Sequence, residues 1–233
     1  LALVVLMFMV VFYFLYPSDS KKSEISESEK DLYQKYLNSD GLHILEELLK
    51  DYPLIDSLQF VKDDLDTSLS TEYTGKPTTY LLIDSDINLS PKSIDTLLKF
   101  VENGNSALVS VTNFNSVFSN RFAYSSMIKQ RFNDEVSVDF THPEMTLYLP
   151  YIYSEYENDY KNYRSWNYFN LHNFIGDIND LAVLGTETYY NQPIFLKVKY
   201  GKGTFYLHSL PELLYNASLF NDDGLEFAQR VFS

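Results

Sequence analysis

The chain of 233 residues carries 32 acidic and 18 basic side chains, a formal charge of −14, and no cysteine. Its length suits one sizeable core or two small ones, and a hydrophobic share of 45% with only 8 Gly and 8 Pro marks most of it as globular. The acidic balance, with no Lys/Arg cluster to offset it, argues against a nucleic-acid partner; the missing cysteine excludes disulfides, thiolate metal sites, cysteine nucleophiles and a lipidated N-terminal cysteine.

The first sixteen residues, LALVVLMFMVVFYFLY, hold no charge, Gly or Pro. As a helix they span roughly 24 Å, about four residues short of a ~30 Å hydrocarbon core. Residues 1–17 are therefore expected to be a transmembrane helix truncated at its start. Tyr13, Phe14, Leu15 and Tyr16 are too bulky for a signal-peptide cleavage site and suit an interfacial aromatic belt. Residues 18–40, opening with a run rich in Ser, Glu and Lys, are expected to form a polar stalk, and residues 41–233 an α/β domain. Lys21 and Lys22 lie among acids and leave the orientation open.

Within the domain, GLHILEELLKDY predicts a helix with Leu42, Leu45, Leu48 and Leu49 on one face, ended by Pro53. SLQFV (57–61) and TTYLLID (78–84) read as strands, the second continuously apolar in its middle, as a strand covered on both faces would be. In DSDINLSPKSID, Asp84, Asp86 and Asn88 fit the first three ligand positions of a calcium loop. Leu89, however, stands where that loop needs Gly, and Asp95 where it needs a bidentate Glu. A strand-to-helix turn fits every residue: Ser90 as N-cap, Pro91 at the first helical position, Ile94, Leu97, Leu98 and Val101 as one stripe, and Gly104 as the closing cap. SALVSV then completes a βαβ unit, whose default is a right-handed crossover and a parallel sheet.

Residues 116–132 place Phe118, Phe122, Ser125 and Ile128 at loosely helical spacing and predict a helix. EVSVDF alternates as a strand, as does MTLYLPYIY, where Pro150 implies an edge or a bulge. LAVLGT, PIFLKVKY and TFYLHSL are further strands, the last two joined as a hairpin through Gly201, Lys202 and Gly203. NDDGLEFAQRVFS closes the chain as a helix with Leu225, Ala228 and Val231 on one face. The expected fold is α/β, a mostly parallel sheet flanked by helices with an antiparallel hairpin near the C-terminus.

Chemistry-bearing residues are sparse. His43, His142, His172 and His208 show no metal-ligand spacing. Asp139, His142 and Glu144 share a loop that fits a hydrogen-bonded histidine better than a metal, and His208 reads as a partly buried polar residue. Gly201 and Gly203 precede a strand, not the helix a phosphate cradle needs. The segment 151–170 holds eight aromatic residues, including the sole Trp. Tyr153, Tyr156, Tyr160, Tyr163, Trp166 and Tyr168 are the candidate interaction surface, with core packing the favoured alternative.

Two stretches, YLLIDSDINLSPKSIDTLLKFVENGNSALVSV and LAVLGTETYYNQPIFLKVKYGKGTFYLHSLPELLYNASLFNDDGLEFAQRVFS, resemble the membrane-anchored domain of unknown function 4350. The matching features are the Leu-Ser helix start, its Val-x-x-Gly end, the Gly-Lys-Gly hairpin, and the His-x-x-Pro…Asn…Leu run; NSDGLHILEELL is a fainter match. The resemblance implies a fold similar to class I glutamine amidotransferases, one membrane helix before the domain and often another after it. It also implies a domain on the periplasmic side of the inner membrane, and genes near AAA+ ATPases of the MoxR type. Where those amidotransferases carry a cysteine on a tight turn, this chain has Val111 and Thr112, followed by Asn113 and Phe114, with neither thiol nor glycine.

The expectation is a non-catalytic scaffold or protein-interaction module of the bacterial envelope, without cofactor or metal, meeting an envelope or inner-membrane protein. A glycan-binding or glycan-processing domain using the 151–170 aromatics with Asp139, Glu144 or Glu155 is the alternative. A divalent-ion site at Asp84, Asp86 and Asn88 is the third reading.

Overall fold

A computed structural model describes residues 38, 41–53, 55–59, 65–69, 76–86, 89–113, 118, 122, 124–131, 135–140, 151–154, 163–174, 180–187, 191–220 and 222–232. For 67, 86, 124–131, 135–138, 151–154, 163–166, 173 and 222 it describes the backbone alone. The expected membrane helix and most of the expected stalk lie outside the described residues; among those described, no helix is long and apolar enough to cross a membrane.

Helix α1 (His43–Lys50) buries Ile44, Leu45 and Leu49; of the face expected from its leucine spacing, Leu42 and Leu48 are half-buried. A single turn, α2 (Leu65–Ser68), precedes strand β1 (Thr79–Asp86), helix α3 (Pro91–Glu102) and strand β2 (Ser106–Asn113). Helix α3 begins where the sequence places it. The Ser90 hydroxyl accepts from the Ser93 amide at 3.0 Å, satisfying one of the orphan donors of the first turn, and Pro91 occupies a position that needs no amide. It ends at Glu102, and Gly104, just past the Asn103 cap, takes a φ of 117° that favours glycine.

The α3 stripe packs onto Ala107, Val109 and Val111 of β2 together with Leu196, Val198, Phe205 and Leu207 from two later strands. Phe118 and Phe122 close this layer against Phe205, at ring separations of 6.3 and 5.1 Å. Each such aliphatic side chain contributes about 1.5–3 kcal/mol by leaving water, so this layer is a main source of the domain's stability.

The remaining strands are β3 (Tyr124–Arg131), β4 (Glu135–Asp139), β5 (Tyr151–Ser154), β6 (Tyr163–Phe169), β7 (Leu181–Glu187), β8 (Gln192–Tyr200) and β9 (Gly203–His208). Seven strands form one sheet in the order β1-β2-β9-β8-β7-β4-β5, and β3 pairs with β6 in a second, two-stranded sheet. Strands β1, β2 and β9 run parallel, whereas every pairing from β9 to β5 is antiparallel. The chain closes with a 3-10 turn (Pro211–Leu214), the short helix α4 (Asn216–Leu219) and helix α5 (Asp222–Val231).

One buried amide fastens the parallel corner. Asn105, 3% exposed, accepts from the Thr78 amide at 3.2 Å and donates to the Phe100 carbonyl at 3.0 Å. The β8–β9 hairpin docks on the same turn: the Lys202 amide donates to Glu102 O at 2.9 Å and the Thr204 amide to Asn105 O at 3.3 Å. The approach is so close that a Cβ on Gly203 would sit 2.0 Å from Asn105 O and 2.2 Å from Val101 O. The second glycine of Gly-Lys-Gly is therefore required for packing, while Gly201 supplies the turn's φ of 59°.

Four expectations change. The sheet is mixed rather than mostly parallel, because the strand–helix alternation stops after β2 and β7, β8 and β9 follow one another through short connections. Of the helix expected over 116–132, residues 118 and 122 are helical, whereas 124–131 form strand β3, which pairs with β6 across a bulge between Ser125 and Ile128. The spacing that suggested a helix combined Phe118 and Phe122, which bury upstream, with residues that belong to this ladder. The buried face of α5 is Gly224, Phe227 and Ala228, with Leu225 and Val231 half-buried. In SLQFV, residues 57–59 lie in no strand and 60–61 fall outside the described residues.

Candidate functional site

Because β1, β2 and β9 run the same way, their carboxyl ends meet at one edge, where open α/β sheets offer their ligand sites. Thr112 and Asn113 lie there on the last residues of β2, half-buried and exposed respectively. The Thr112 hydroxyl donates to Glu212 Oε1 at 3.3 Å, from the 3-10 turn that follows β9. Asn167 of β6, 4% exposed, donates through its side-chain amide to the Thr112 carbonyl and to Asn113 Oδ1, the latter at 3.2 Å. A hydroxyl, a carboxylate and two amides from β2, β6 and the 3-10 turn thus converge on one strand end.

One residue pair further in, Ser110 of β2 faces His208 of β9, and Ser110 Oγ lies 2.8 Å from His208 Nδ1. Both are sealed in, Ser110 at 0% and His208 at 1% exposure. Phe195 lies 5.1 Å from the imidazole and Phe227 of α5 5.6 Å from it, ring centre to ring centre. Nε2 is buried with no hydrogen-bond partner among the described residues. Burial pushes the imidazole down to about 3, so the ring is neutral at physiological pH. A serine–histidine contact is the first half of a nucleophile–base arrangement, but this one lies in the core, beyond the reach of a substrate.

Thr112, the position singled out by the sequence resemblance, has ordinary strand geometry. Strand β2 runs extended through Thr112 to Asn113, which pairs with Asp86, so its described residues form no elbow. Among the described residues the single non-glycine with positive φ is Asn191, just before β8. Glu212, which accepts from the Thr112 hydroxyl, stands one hundred residues away along the chain, so no local spacing announces the pair.

Asp84 and Asp86 fall inside β1, opposite Val111 and Asn113. Extended, ladder-bonded backbone does not wrap around an ion as the first positions of a calcium loop must. Asp84 is exposed and accepts from the Ser85 amide at 2.7 Å; Asn88 lies outside the described residues. Asp139 is half-buried at the end of β4, while His142, Glu144 and Glu155 lie outside the described residues. His43 is half-buried in α1 and His172 exposed, and among the described residues no three His, Asp or Glu side chains group around a metal position.

The aromatic segment is divided. Tyr153 lies on β5, the edge strand of the large sheet, and Tyr163, Trp166 and Tyr168 on β6 of the small one. Tyr168 is half-buried; Tyr156 and Tyr160 lie outside the described residues.

These features define an α/β domain with a mixed sheet, whose parallel strands end at a polar edge roofed by a 3-10 turn and a strand of a second sheet. The chain belongs to the family of the domain of unknown function DUF4350, whose profile matches residues 38–232. No curated protein matches it. Among solved structures it is similar to a β-galactosidase from Bacillus circulans sp. alkalophilus, at 12% identity and a TM-score of 0.39, over 71% of this chain and 23% of that one. It is also similar to an exo-β-1,4-mannosidase from Opitutaceae bacterium strain TAV5, at 14% identity and a TM-score of 0.39, over 66% of this chain and 24% of that one. A third is a cytoplasmic protein from Salmonella typhimurium, at 11% identity and a TM-score of 0.38, over 72% of this chain and 77% of that one. This chain spans under a quarter of either glycosidase, and likeness at this level does not bear on activity.

Proposed function

We propose that the domain is a non-catalytic binding module, held at the inner membrane of a bacterial envelope by residues 1–17 and engaging a protein partner on the periplasmic side. The fold we assign it is a relative of the class I glutamine amidotransferases that has lost the nucleophile. One observation carries the reading: the groups that resemble catalytic parts are engaged elsewhere. Ser110 and His208 face each other inside the core, and Thr112 sits at the end of β2 with its hydroxyl directed to Glu212. Among the described residues the carboxyl edge presents Asn113, Asp84 and Ser85 to solvent, groups suited to hydrogen bonding a partner.

Photo-crosslinkers placed at Asn113 and Asp84 of the anchored protein, activated in native membranes, test this. The expected result is one reproducible adduct that disappears when the same probe is moved to Lys50 on α1; a spread of abundant neighbours from every position would defeat the proposal. Small-molecule turnover abolished by Thr112→Val would also overturn the non-catalytic reading. The glycan alternative rests on the 151–170 aromatics and is separated by titrating Trp166 fluorescence with wall oligosaccharides, where a saturable change would favour it.

A further inference from the structure

Helix α1 has only eight residues, and Leu42 at its N-cap makes no capping hydrogen bond from its side chain. An isolated helix of that length is unstable in water, since one turn of nucleation is repaid over too few bonds. The missing cap comes from the far end of the chain. Asn216, 0% exposed at the start of α4, accepts from the Ile44 amide through Oδ1 at 2.9 Å. Its Nδ2 donates to Asn38 O at 2.9 Å, and its backbone amide donates to Gly41 O at 2.8 Å. Gly41 lies against it so closely that a Cβ there would approach Nδ2 to 2.9 Å. One buried side chain thus holds both the entry of the domain and the first turn of its first helix.

The position of Asn216 is set in turn by Glu212. The Glu212 carbonyl accepts from the Tyr215 amide at 3.2 Å and from the Ser218 hydroxyl at 2.6 Å, fixing the turn that delivers Asn216. The Glu212 carboxylate is the group that meets Thr112 at the carboxyl edge. Hydrogen bonds joined by the backbone of the 3-10 turn therefore link the end of β2, through Glu212, to Asn216 and the start of α1.

We propose that α1 is a conditional helix, a latch whose docking depends on Glu212 being held at the carboxyl edge, so that displacing Glu212 there releases the segment 38–50. The coupling concerns bonds within the domain and stands whether or not the module binds the partner proposed above. If residues 1–17 are an anchor, the latch joins the partner-facing edge to the segment that leads to the membrane.

The test is hydrogen–deuterium exchange on the full chain, following peptides that cover 43–50 and, as reference, 91–102. Asn216→Ala is expected to speed exchange in 43–50 at least tenfold while 91–102 stays within twofold of the parent. Thr112→Val, which keeps the shape of the side chain but frees Glu212 from its hydroxyl, is expected to speed exchange in 43–50 by threefold or more, again sparing 91–102. Two results overturn the proposal: Thr112→Val leaving 43–50 at the parent rate, or either variant loosening both peptides equally, which would make α1 part of one global unit. Should Asn216→Ala fail to fold, the Thr112→Val arm decides alone.

Discussion

Replacing Gly203 by Ala tests the docking of the last hairpin on the βαβ corner. A Cβ built there lies 2.0 and 2.2 Å from two backbone carbonyl oxygens, Asn105 O and Val101 O, which cannot rotate away as side chains do. Carbon–oxygen contacts settle near about 3.3 Å, so the hairpin must withdraw by roughly 1 Å. Overpacking of that kind costs about 1–3 kcal/mol. Withdrawal also weakens the bonds from Lys202 N to Glu102 O and from Thr204 N to Asn105 O, each contributing about 1 kcal/mol net. The expected loss is about 4 kcal/mol, a large part of the ~5–15 kcal/mol that holds a domain folded. With a urea m-value of about 2–3 kcal/mol/M, the unfolding midpoint should fall by roughly 1.5 M, whereas Lys202→Ala on the exposed tip should barely move it. A Gly203→Ala midpoint within about 0.3 M of the parent at unchanged m would refute the claim that this contact is required.

Three further outcomes follow from the same geometry. His208 is held near 3 in the folded state against 6.5 for the free side chain, so the unfolded chain takes up a proton first as pH falls. Stability that is complete above pH 6.5 should decline by about 2 kcal/mol by pH 5, and urea melts of His208→Leu should lack that slope. Asn105→Ala leaves the Thr78 amide and the Phe100 carbonyl without this partner and should lower stability by about 2–4 kcal/mol. Combined with Gly203→Ala it should cost less than the sum, since both act on one junction. Calcium added to the folded domain should give no saturable heat in calorimetry, because Asp84 and Asp86 are fixed in a ladder.

The parts of the fold that could be read from sequence are those specified by neighbours. Ser90, Pro91, the Ile94–Val101 stripe and Gly104 lie within fifteen residues, and each acts through local geometry. The Gly-Lys-Gly hairpin was legible for the same reason, although its second glycine answers to a distant turn rather than to its own backbone. Strand β3 was not legible, because β6 decides its conformation and a bulge blurs the alternation that would reveal it. The buried state of His208 was hidden too: it depends on the packing of Phe195 from β8 and Phe227 from α5, which alternation along β9 does not show. Glu212 and Asn216 carry no local signal, since their partners stand 100 and 172 positions away along the chain.

The strand order has a consequence for biogenesis. The last strand to be synthesised, β9, is inserted between β2 and β8 and is the only link between the parallel and antiparallel halves of the large sheet. Until the ribosome has delivered His208, β2 presents an open apolar edge, and a product truncated before Gly203 is two unjoined fragments with adhesive borders. Closure over such sequence distances is slow. Late nonsense mutations should therefore yield aggregate in place of a shortened functional protein.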